Sequence, residues 1–258
     1  MPIESKPAAG VALFLFAHQD DEFGVYHVLD ECRRRGQRAV CAYLTRGARG
    51  IGEQRNEESL AVLRGLGVRG EDVIFAGDAL GIDDAALPGA LQAAGDWMAH
   101  WMASFASIGQ IYVTAWEGGH HDHDALHALV VRTARQLGQV SLVRQFALYN
   151  AYGCPGPFFR VLSPLAANGT VTSLHITWRK RLHYLCLCLQ YPSQRKTWLG
   201  LFPFVFLHYV FKGTQTLQAV DEARLQERPH EGPLYYERRG FYRWELMQEK
   251  LRRWHAGV

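Results

Sequence analysis

The sequence of 258 residues predicts an α/β fold with a mostly parallel sheet. In the first 140 residues, short apolar runs with strand character alternate with stretches whose apolar residues recur at helical spacing. This alternation is typical of βαβ units, whose strands lie parallel. Clusters of His and Asp follow the first and the fourth predicted strands. The carboxyl ends of such strands are where open α/β sheets bind ligands.

The predicted elements of this first part are regularly spaced. The apolar runs predict strands at residues 11–17, 38–44, 72–76 and 110–115. Helical spacing predicts helices over residues 22–35, 53–66, 85–105 and 124–137. Gly36, Gly67 and Gly138 follow three of these segments, as expected of glycine at helix C-termini. The four strands are predicted to lie in the order 3-2-1-4 of a doubly wound sheet.

The pattern changes after Gly138. Strands are predicted at residues 141–151 and 171–176, and residues 179–190 fit either a helix or a strand. No linker marks a boundary, so residues 1–258 are predicted to form a single domain. Its core is residues 1–140, and residues 141–258 form an extension of strands and helices that provides one wall of the site.

The longest apolar stretch, residues 199–211, includes Pro203 and His208. Its 13 residues are too few to cross a bilayer, so no transmembrane segment is predicted. A buried strand or helix is the favoured interpretation. Peripheral contact with a membrane surface stays open because the stretch is rich in aromatic residues.

The composition excludes several classes of protein. Hydrophobic residues make up 48% and charged residues 21% of the chain, as in globular proteins with a substantial core. A net charge of +3 is too small to indicate a nucleic-acid partner. The five cysteines lack the spacing of a disulfide framework. Because no signal-peptide pattern opens the sequence, a cytoplasmic location is expected.

Two polar clusters point to the same place in the predicted sheet. Residues 18–22, His-Gln-Asp-Asp-Glu, follow the first strand, and residues 117–124 follow the fourth. Alone, the first cluster is typical of a capped helix start and the second of a solvated loop. Since strands 1 and 4 are neighbours in the predicted order, both clusters meet at their carboxyl ends. Together they predict a metal site there.

The residue types at this site fit a hydrolytic metal centre. His18, Asp21 and His123 supply two imidazoles and one carboxylate, a set that zinc uses with a water in the fourth position. Zn²⁺ is therefore the expected ion, and other divalent metals such as Fe²⁺ stay open. Asp20 remains unliganded beside the metal and is predicted to take a proton from the water.

The second cluster also provides a candidate acid. His120 lies three residues before His123 and is predicted to act as a general acid on the far side of the substrate. Asp122 is expected to hold one ring nitrogen of His120, which would fix its tautomer and favour its protonated form. These parts predict hydrolysis of an amide through a tetrahedral intermediate.

Three motifs resemble those of the PIG-L/LmbE-like family of zinc-dependent de-N-acetylases, in the same order. Residues 18–22 resemble the end of the family's Ala-His-Pro-Asp-Asp-Glu motif, and residues 120–123 resemble its His-x-Asp-His motif. Arg55 and Glu58, followed by residues 63–68, resemble its Arg-x-x-Glu helix ending in Leu-Gly-Val. The resemblance extends through about residue 140.

The resemblance implies a Rossmann-like three-layer fold and an enzyme that removes acetyl from an N-acetylated amino sugar. It implies that His18, Asp21 and His123 hold the metal, that Asp20 is the base, and that His120 is the acid or oxyanion stabiliser. It adds Arg55 as a residue that contacts or orders the sugar site.

Further candidates come from neighbouring segments. Arg46 lies in the loop of residues 45–50, which follows the second strand and offers donors to sugar hydroxyls or a phosphate. Glu22 completes the first cluster, and both residues are candidates for substrate binding. Asp83 and Asp84 are predicted to cap the next helix rather than to contact substrate.

The sequence departs from the family at two positions. Gln19 replaces the usual proline, and because proline fixes φ, its loss is expected to loosen the geometry of the ligands. Gly118 stands where some members carry a tyrosine that polarises the carbonyl. His120 and the metal must then stabilise the oxyanion alone, or with help from a residue of the C-terminal half.

Two other functions stay open at this point. One is a metal-dependent hydrolase that acts on a non-sugar amide or a phosphate ester. The other is a sugar- or lipid-binding protein that has kept the site without catalysis.

Overall fold

The computed structural model describes residues 10–47 and 50–256. The strands are β1 Val11–Phe16, β2 Ala39–Tyr43, β3 Val73–Phe75, β4 Ile108–Thr114, β5 Val143–Phe146, β6 Tyr149–Asn150, β7 Arg160–Val161, β8 Val171–His175 and β9 Thr214–Ala219. The helices are α1 Tyr26–Arg34, α2 Gly52–Gly65, α3 Ala76–Leu80, α4 Leu91–Ala103, α5 His121–Gln136, α6 Trp178–Cys188, α7 Arg195–Phe211, α8 Tyr235–Arg238 and α9 Trp244–Ala256.

Seven strands form one mostly parallel sheet in the order β3-β2-β1-β4-β5-β9-β8. The first five strands of this order are parallel to one another. β9 pairs antiparallel with both β5 and β8. The predicted α/β fold and the order 3-2-1-4 are confirmed, and the C-terminal half extends the sheet beyond β5.

Helices cover both faces of this sheet, which makes three layers. Phe14 and Phe16 of β1 belong to a core under α1, α2, α6 and α7, whereas Leu13 and Leu15 belong to a core under α4, α5 and α9. A strand buried on both faces has no need for alternating polar residues. This is why the first strand is a continuous apolar run.

Several predicted elements are shorter or divided. The helix predicted at residues 22–35 begins as a 3-10 turn, Asp21–Gly24, and continues as α1. The helix predicted at residues 85–105 begins with a second 3-10 turn, Leu87–Gly89, before α4. The strand predicted at residues 141–151 is split into β5 and β6.

The two ambiguous segments of the C-terminal half are both helices. Residues 179–190 lie mostly in α6, and the long apolar stretch lies in α7. The expectation that this stretch is buried is wrong for half of the helix, because Leu199 and Phe211 are largely exposed. No helix among the described residues is long and apolar enough to cross a membrane.

Helix α5 connects the core to the site, and its stability is testable. Leu129 of α5 is fully buried in the core under α4, α5 and α9. The Leu129→Ala variant is expected to lower the free energy of unfolding by about 2–5 kcal/mol, because it removes buried methyl groups and leaves a cavity. Urea denaturation measures this loss. Leu246→Ala, at a largely exposed position of α9, is the control, and an equal loss in both variants would contradict this assignment of the core.

Candidate functional site

The site lies where β1 and β4 end side by side. These two strands pair in parallel, with Leu15 opposite Val113. The loop after β1 carries residues 18–22, and α5 begins at His121, shortly after β4. The two polar clusters therefore face each other, as the strand order requires.

The ligand atoms of the three predicted metal ligands lie close enough together to bind one ion. His18 Nδ1 lies 3.1 Å from His123 Nε2, and His123 Nε2 lies 3.0 Å from Asp21 Oδ1. His18 Nδ1 is 3.6 Å from Asp21 Oδ2. A tetrahedral zinc ion with bonds of about 2.0–2.1 Å holds its ligand atoms roughly 3.3 Å apart. The donor set and these separations fit a divalent ion bound by His18, Asp21 and His123.

Other donors surround His18. The ligand atoms of His18, His120 and His123 all lie within 4.8 Å of one another, and so do those of His18, Asp84 and Asp122. His18 thus has histidine neighbours in one of these groups and carboxylate neighbours in the other. Its Nδ1 faces His123 and Asp21, and its Nε2 faces Asp84 and Asp122.

The carboxylate of Asp21 is fixed by the end of β1. Asp21 Oδ2 accepts hydrogen bonds from the backbone N–H of Ala17 and of His18, at 3.0 and 2.8 Å. Burial would raise the pKa of Asp21, but His123 and His18 hold this pKa well below its usual range. Asp21 is therefore ionised and held in one orientation, as a metal ligand needs to be.

Asp20 is held differently from its neighbour. Its φ of 107° lies in the left-handed region, which is strained for a residue other than glycine. Its backbone N–H donates to Glu22 Oε2 at 3.0 Å. Its carboxylate lines the cavity and, among the described residues, receives no hydrogen bond. Burial and the charge of Asp21 raise the pKa of Asp20 well above its usual value, so this carboxylate has an increased affinity for a proton.

Asp122 contacts a different histidine from the expected one. Its Oδ2 lies 3.0 Å from His18 Nε2 but 4.0 Å from His120 Nδ1. The backbone N–H groups of Ala85 and Leu87 hold its two oxygens at 2.7 and 3.1 Å. The expected pair with His120 is not formed. Asp122 instead orients His18, as carboxylates do behind metal-binding histidines.

His120 is neutral in this arrangement. Its Nδ1 accepts a hydrogen bond of 3.2 Å from the backbone N–H of Asp122, so its ring hydrogen is on Nε2. Burial, followed by the neighbouring charge on His18, lowers the pKa of His120 well below its usual value. These contacts favour a neutral His120, in contrast to the protonated form that the sequence predicted. The ring offers an N–H donor rather than an acidic proton.

Asp84 belongs to the site, although the sequence suggested a helix cap. Its Oδ1 lies 3.2 Å from His18 Nε2, and its Oδ2 lies 3.1 Å from the Arg55 guanidinium. Asp83, next to it, pairs with Arg46 instead. Asp83 forms a parallel bridge with Arg46, and successive side chains of an extended segment point in opposite directions. The adjacent Asp pair beyond β3 was the only sequence signal for Asp84.

The three residues predicted to bind substrate lie in different places. Arg55 is buried, donates to the carbonyl of Gln19 at 3.3 Å and lines the cavity. Arg46 is half-buried, is ion-paired with Asp83 and does not line the cavity. The rest of its loop includes residues 48–49, which are outside the described residues.

Glu22 is a positioning residue rather than a substrate contact. It is fully buried and does not line the cavity. It accepts a hydrogen bond of 2.6 Å from the Tyr191 hydroxyl, and its other oxygen holds the backbone of Asp20. The substrate-binding predictions for Glu22 and Arg46 are thus not supported by the structure, whereas Arg55 is where it was expected.

Gln19 ties the first cluster to α2. Its side-chain amide donates to Asn56 Oδ1 at 2.7 Å and to the carbonyl of Thr45 at 3.4 Å. Its backbone carbonyl accepts from Arg55. These bonds restrain the loop in place of the ring of proline, so the expected loosening is not observed.

A cavity of about 570 Å³ opens above these residues. The residues after position 140 that line it are Tyr149, Phe159, Gln194, Lys196, Thr197, Gly200, Leu201, Tyr235, Arg239 and Phe241. Tyr149 is held close to the second cluster, since a Cβ on Gly119 would lie 2.1 Å from its carbonyl oxygen. Burial and the charges of Asp21 and Asp20 raise the pKa of Tyr149 well above its usual value, which keeps its hydroxyl protonated.

Comparison with known proteins finds a family model that matches nearly half of the chain. Residues 13–134 match the family model described as PIG-L: GlcNAc-PI de-N-acetylase. No curated protein shows a significant sequence match. This segment contains all three motifs, so the predicted resemblance is confirmed. The prediction that the protein is an N-deacetylase is confirmed with it.

Solved structures share the fold at low identity. A triple mutant of a deacetylase of the teicoplanin biosynthetic pathway is 17% identical, with 82% of this chain and 98% of that chain covered and a TM-score of 0.63. The deacetylase of the antimicrobial A40926 pseudoaglycone is 16% identical, with 84% and 98% covered and a TM-score of 0.63. The N,N'-diacetylchitobiose deacetylase from Pyrococcus horikoshii is 11% identical, with 85% and 87% covered and a TM-score of 0.56.

The ligand set predicts how metal binding responds to mutation. The His123→Ala variant is expected to weaken zinc binding by more than roughly a hundredfold, because even the loss of an outer-shell partner costs 10–100-fold. Equilibrium dialysis with elemental analysis measures zinc per chain without any activity assay. The control is His100→Ala, at an exposed position of α4, which should keep roughly one zinc per chain. Undiminished zinc in His123→Ala would remove His123 from the ligand set.

Proposed function

We propose that this protein, an N-deacetylase with a PIG-L-type domain, removes the acetyl group from an N-acetylated amino sugar in a zinc-dependent reaction. The observation that carries the proposal is the convergence of His18, Asp21 and His123 beside Asp20, an unengaged carboxylate that lines the same cavity as His18 and Asp21. This set can hold a divalent ion and place a base next to it. Iron(II) is an alternative ion for the same ligands.

When bound, the metal ion would make a water more acidic and polarise the amide carbonyl. The remaining chemistry falls to residues of the chain. Hydrolysis breaks the bond between the carbonyl carbon and nitrogen, and the oxygen of water forms the new bond to carbon. Asp20 accepts the proton that this water loses, and its raised pKa suits it to the task. The same proton can then pass to the departing amine.

Two donors are placed to stabilise the negative charge that develops on the carbonyl oxygen. His120 offers Nε2–H from a neutral ring that lines the cavity. Tyr149, whose hydroxyl is protonated, lines the same cavity. Donors that are held in position before the reaction stabilise a transition state without reorganisation. Tyr149 would thus supply the hydroxyl that some family members provide from a tyrosine at the position of Gly118.

The upper part of the cavity suits a sugar. Tyr235, Phe241 and Phe159 provide flat apolar surfaces, and Arg55, Gln194 and Arg239 provide hydrogen-bond donors around them. Aromatic walls with a few convergent polar groups are typical of sites for small ligands. Lys196 and Arg239, at the wall, allow the substrate to carry an acidic or phosphorylated group.

The role of Asp20 can be tested by acetate release. Zinc-loaded protein is expected to release acetate from at least one of a panel of N-acetylglucosamine conjugates. Asp20→Asn should lower kcat on the order of 10²–10⁴-fold, because the amide cannot accept the proton, while zinc per chain stays unchanged. Asp83→Asn, in an exposed ion pair outside the cavity, is the matched control.

Two outcomes would contradict this assignment. Loss of zinc together with turnover in Asp20→Asn would make Asp20 a ligand. Phosphate release from phosphorylated sugars, with no acetate from any conjugate, would mean that the bond has been assigned wrongly.

Arg55 and Arg46 make a second matched pair. Arg55→Lys is expected to lower kcat/KM by roughly tenfold or more, because lysine cannot reproduce the guanidinium contacts to Gln19 and Asp84. Arg46→Lys should stay within about twofold of the wild type, since its ion pair is exposed. Steady-state kinetics on the same conjugate measures both. Equal losses of kcat/KM in the two variants would mean that Arg46 also contributes to substrate binding.

A further inference from the structure

The solvent-facing side of α7 is apolar from Leu199 to Phe211. The side chains of Leu199 and Phe211 are 82% and 79% exposed, and those of Phe206 and Leu207 are 45% and 47% exposed. Pro203, between them, is also exposed. Four large apolar side chains on one helix face exceed what a surface normally presents to water. This face therefore fits contact with an apolar phase.

The opposite side of α7 anchors the helix to the protein. Trp198, Leu201, Val205 and Tyr209 are buried in the core that covers α1, α2 and α6. This packing keeps α7 flat against the domain. An apolar phase would be reached by laying the helix on a surface, not by inserting it across one.

The stretch of sequence that contains α7 carries charge of one sign. Asp124 and Asp221 are separated by 96 residues without a single Asp or Glu, although the chain contains 25 acidic residues. The same stretch contains ten basic residues, namely Arg132, Arg135, Arg144, Arg160, Arg179, Lys180, Arg181, Arg195, Lys196 and Lys212. Within residues 10–47 and 50–256, no carboxylate pairs with Arg195, Lys196 or Lys212 at the two ends of α7. Exposed apolar side chains between unpaired cations are complementary to an anionic lipid surface.

The apolar face is continuous with the site. Lys196, Gly200 and Leu201 of α7 line the catalytic cavity. Further along the helix, Phe204, Leu207, Phe211 and Lys212 line a groove of about 350 Å³ that also includes Phe159. Phe159 lines the catalytic cavity as well, so the groove and the cavity share a wall.

We propose that the solvent face of α7, defined by Leu199, Pro203, Phe206, Leu207 and Phe211, docks on an anionic lipid bilayer. Arg195, Lys196 and Lys212 contact the headgroups, and the apolar side chains enter the interface. Docking brings the mouth of the catalytic cavity to the membrane surface. The proposal concerns a surface outside the catalytic residues and is tested without catalysis.

The test is co-sedimentation of the full chain with vesicles. One set is phosphatidylcholine alone, and the other contains roughly one-third phosphatidylglycerol. Binding is expected to the second set only and to weaken as salt screens the charges. Arg195→Gln/Lys212→Gln should weaken it roughly fivefold for each cation removed. Leu199→Ser/Phe206→Ser/Phe211→Ser should weaken it by roughly tenfold or more.

Matched variants on α9 and beside it serve as controls. Leu246→Ser and Arg243→Gln/Arg252→Gln change exposed residues of the same types and should bind vesicles like the wild type. Far-UV circular dichroism and acetate release from a water-soluble conjugate show whether the α7 variants remain folded. Neither set of α7 variants changes a residue that lines the catalytic cavity.

Three results would overturn the proposal. They are absence of binding to anionic vesicles, equal binding to neutral ones, and wild-type binding by the α7 variants. If the protein is a dimer that the apolar variant dissociates, and no vesicle is bound, a second copy covers this face instead. Vesicle binding without acetate release would contradict the proposed function alone. Acetate release without vesicle binding would contradict only the docking surface.

Discussion

The parallel pairing of β1 with β4 is the contact on which the site depends. It is buried by helices on both faces, so every side chain of β1 beyond Val11 is withdrawn from water. A one-residue change in register would reverse which side chains face each core. That constraint fixes where both strands end. It therefore brings the loop holding His18 and Asp21 against the start of α5, with the ring nitrogens of His18 and His123 3.1 Å apart.

His18 connects the residues that this strand pairing brings together. Its Nδ1 faces His123 and Asp21, while its Nε2 is 3.0 Å from Asp122 and 3.2 Å from Asp84. Asp122 is held by amides of the segment after α3, and Asp84 by Arg55 from α2. One imidazole thus joins segments that follow four different strands. A disturbance in any of them would rotate the ring, because carboxylates behind a ligand set its orientation.

The sequence predicted the fold and the meeting of the clusters because both follow from strand order and periodicity. It could not predict which carboxylate holds which histidine. The partner of Asp122 depends on the amides of Ala85 and Leu87, whose path is set by contacts distant in sequence. The sequence did not predict the exposed face of α7 for a different reason. A helix that is apolar on all sides is typical of a buried one, and only the packing of neighbouring helices decides which side stays uncovered.

The distribution of charge links the cavity to α7. Asp20, Asp21 and Asp84 line the cavity together with Arg55, and Asp122 lies behind them against His18. Buried carboxylates are stable only when cations or donors compensate them, and a divalent ion is a compact way to do so. Lys196, which also lines the cavity, belongs to a stretch of sequence without acidic residues that includes all of α7. The carboxylates of the cavity favour a cation, whereas the unpaired cations at the ends of α7 favour an anionic surface or substrate.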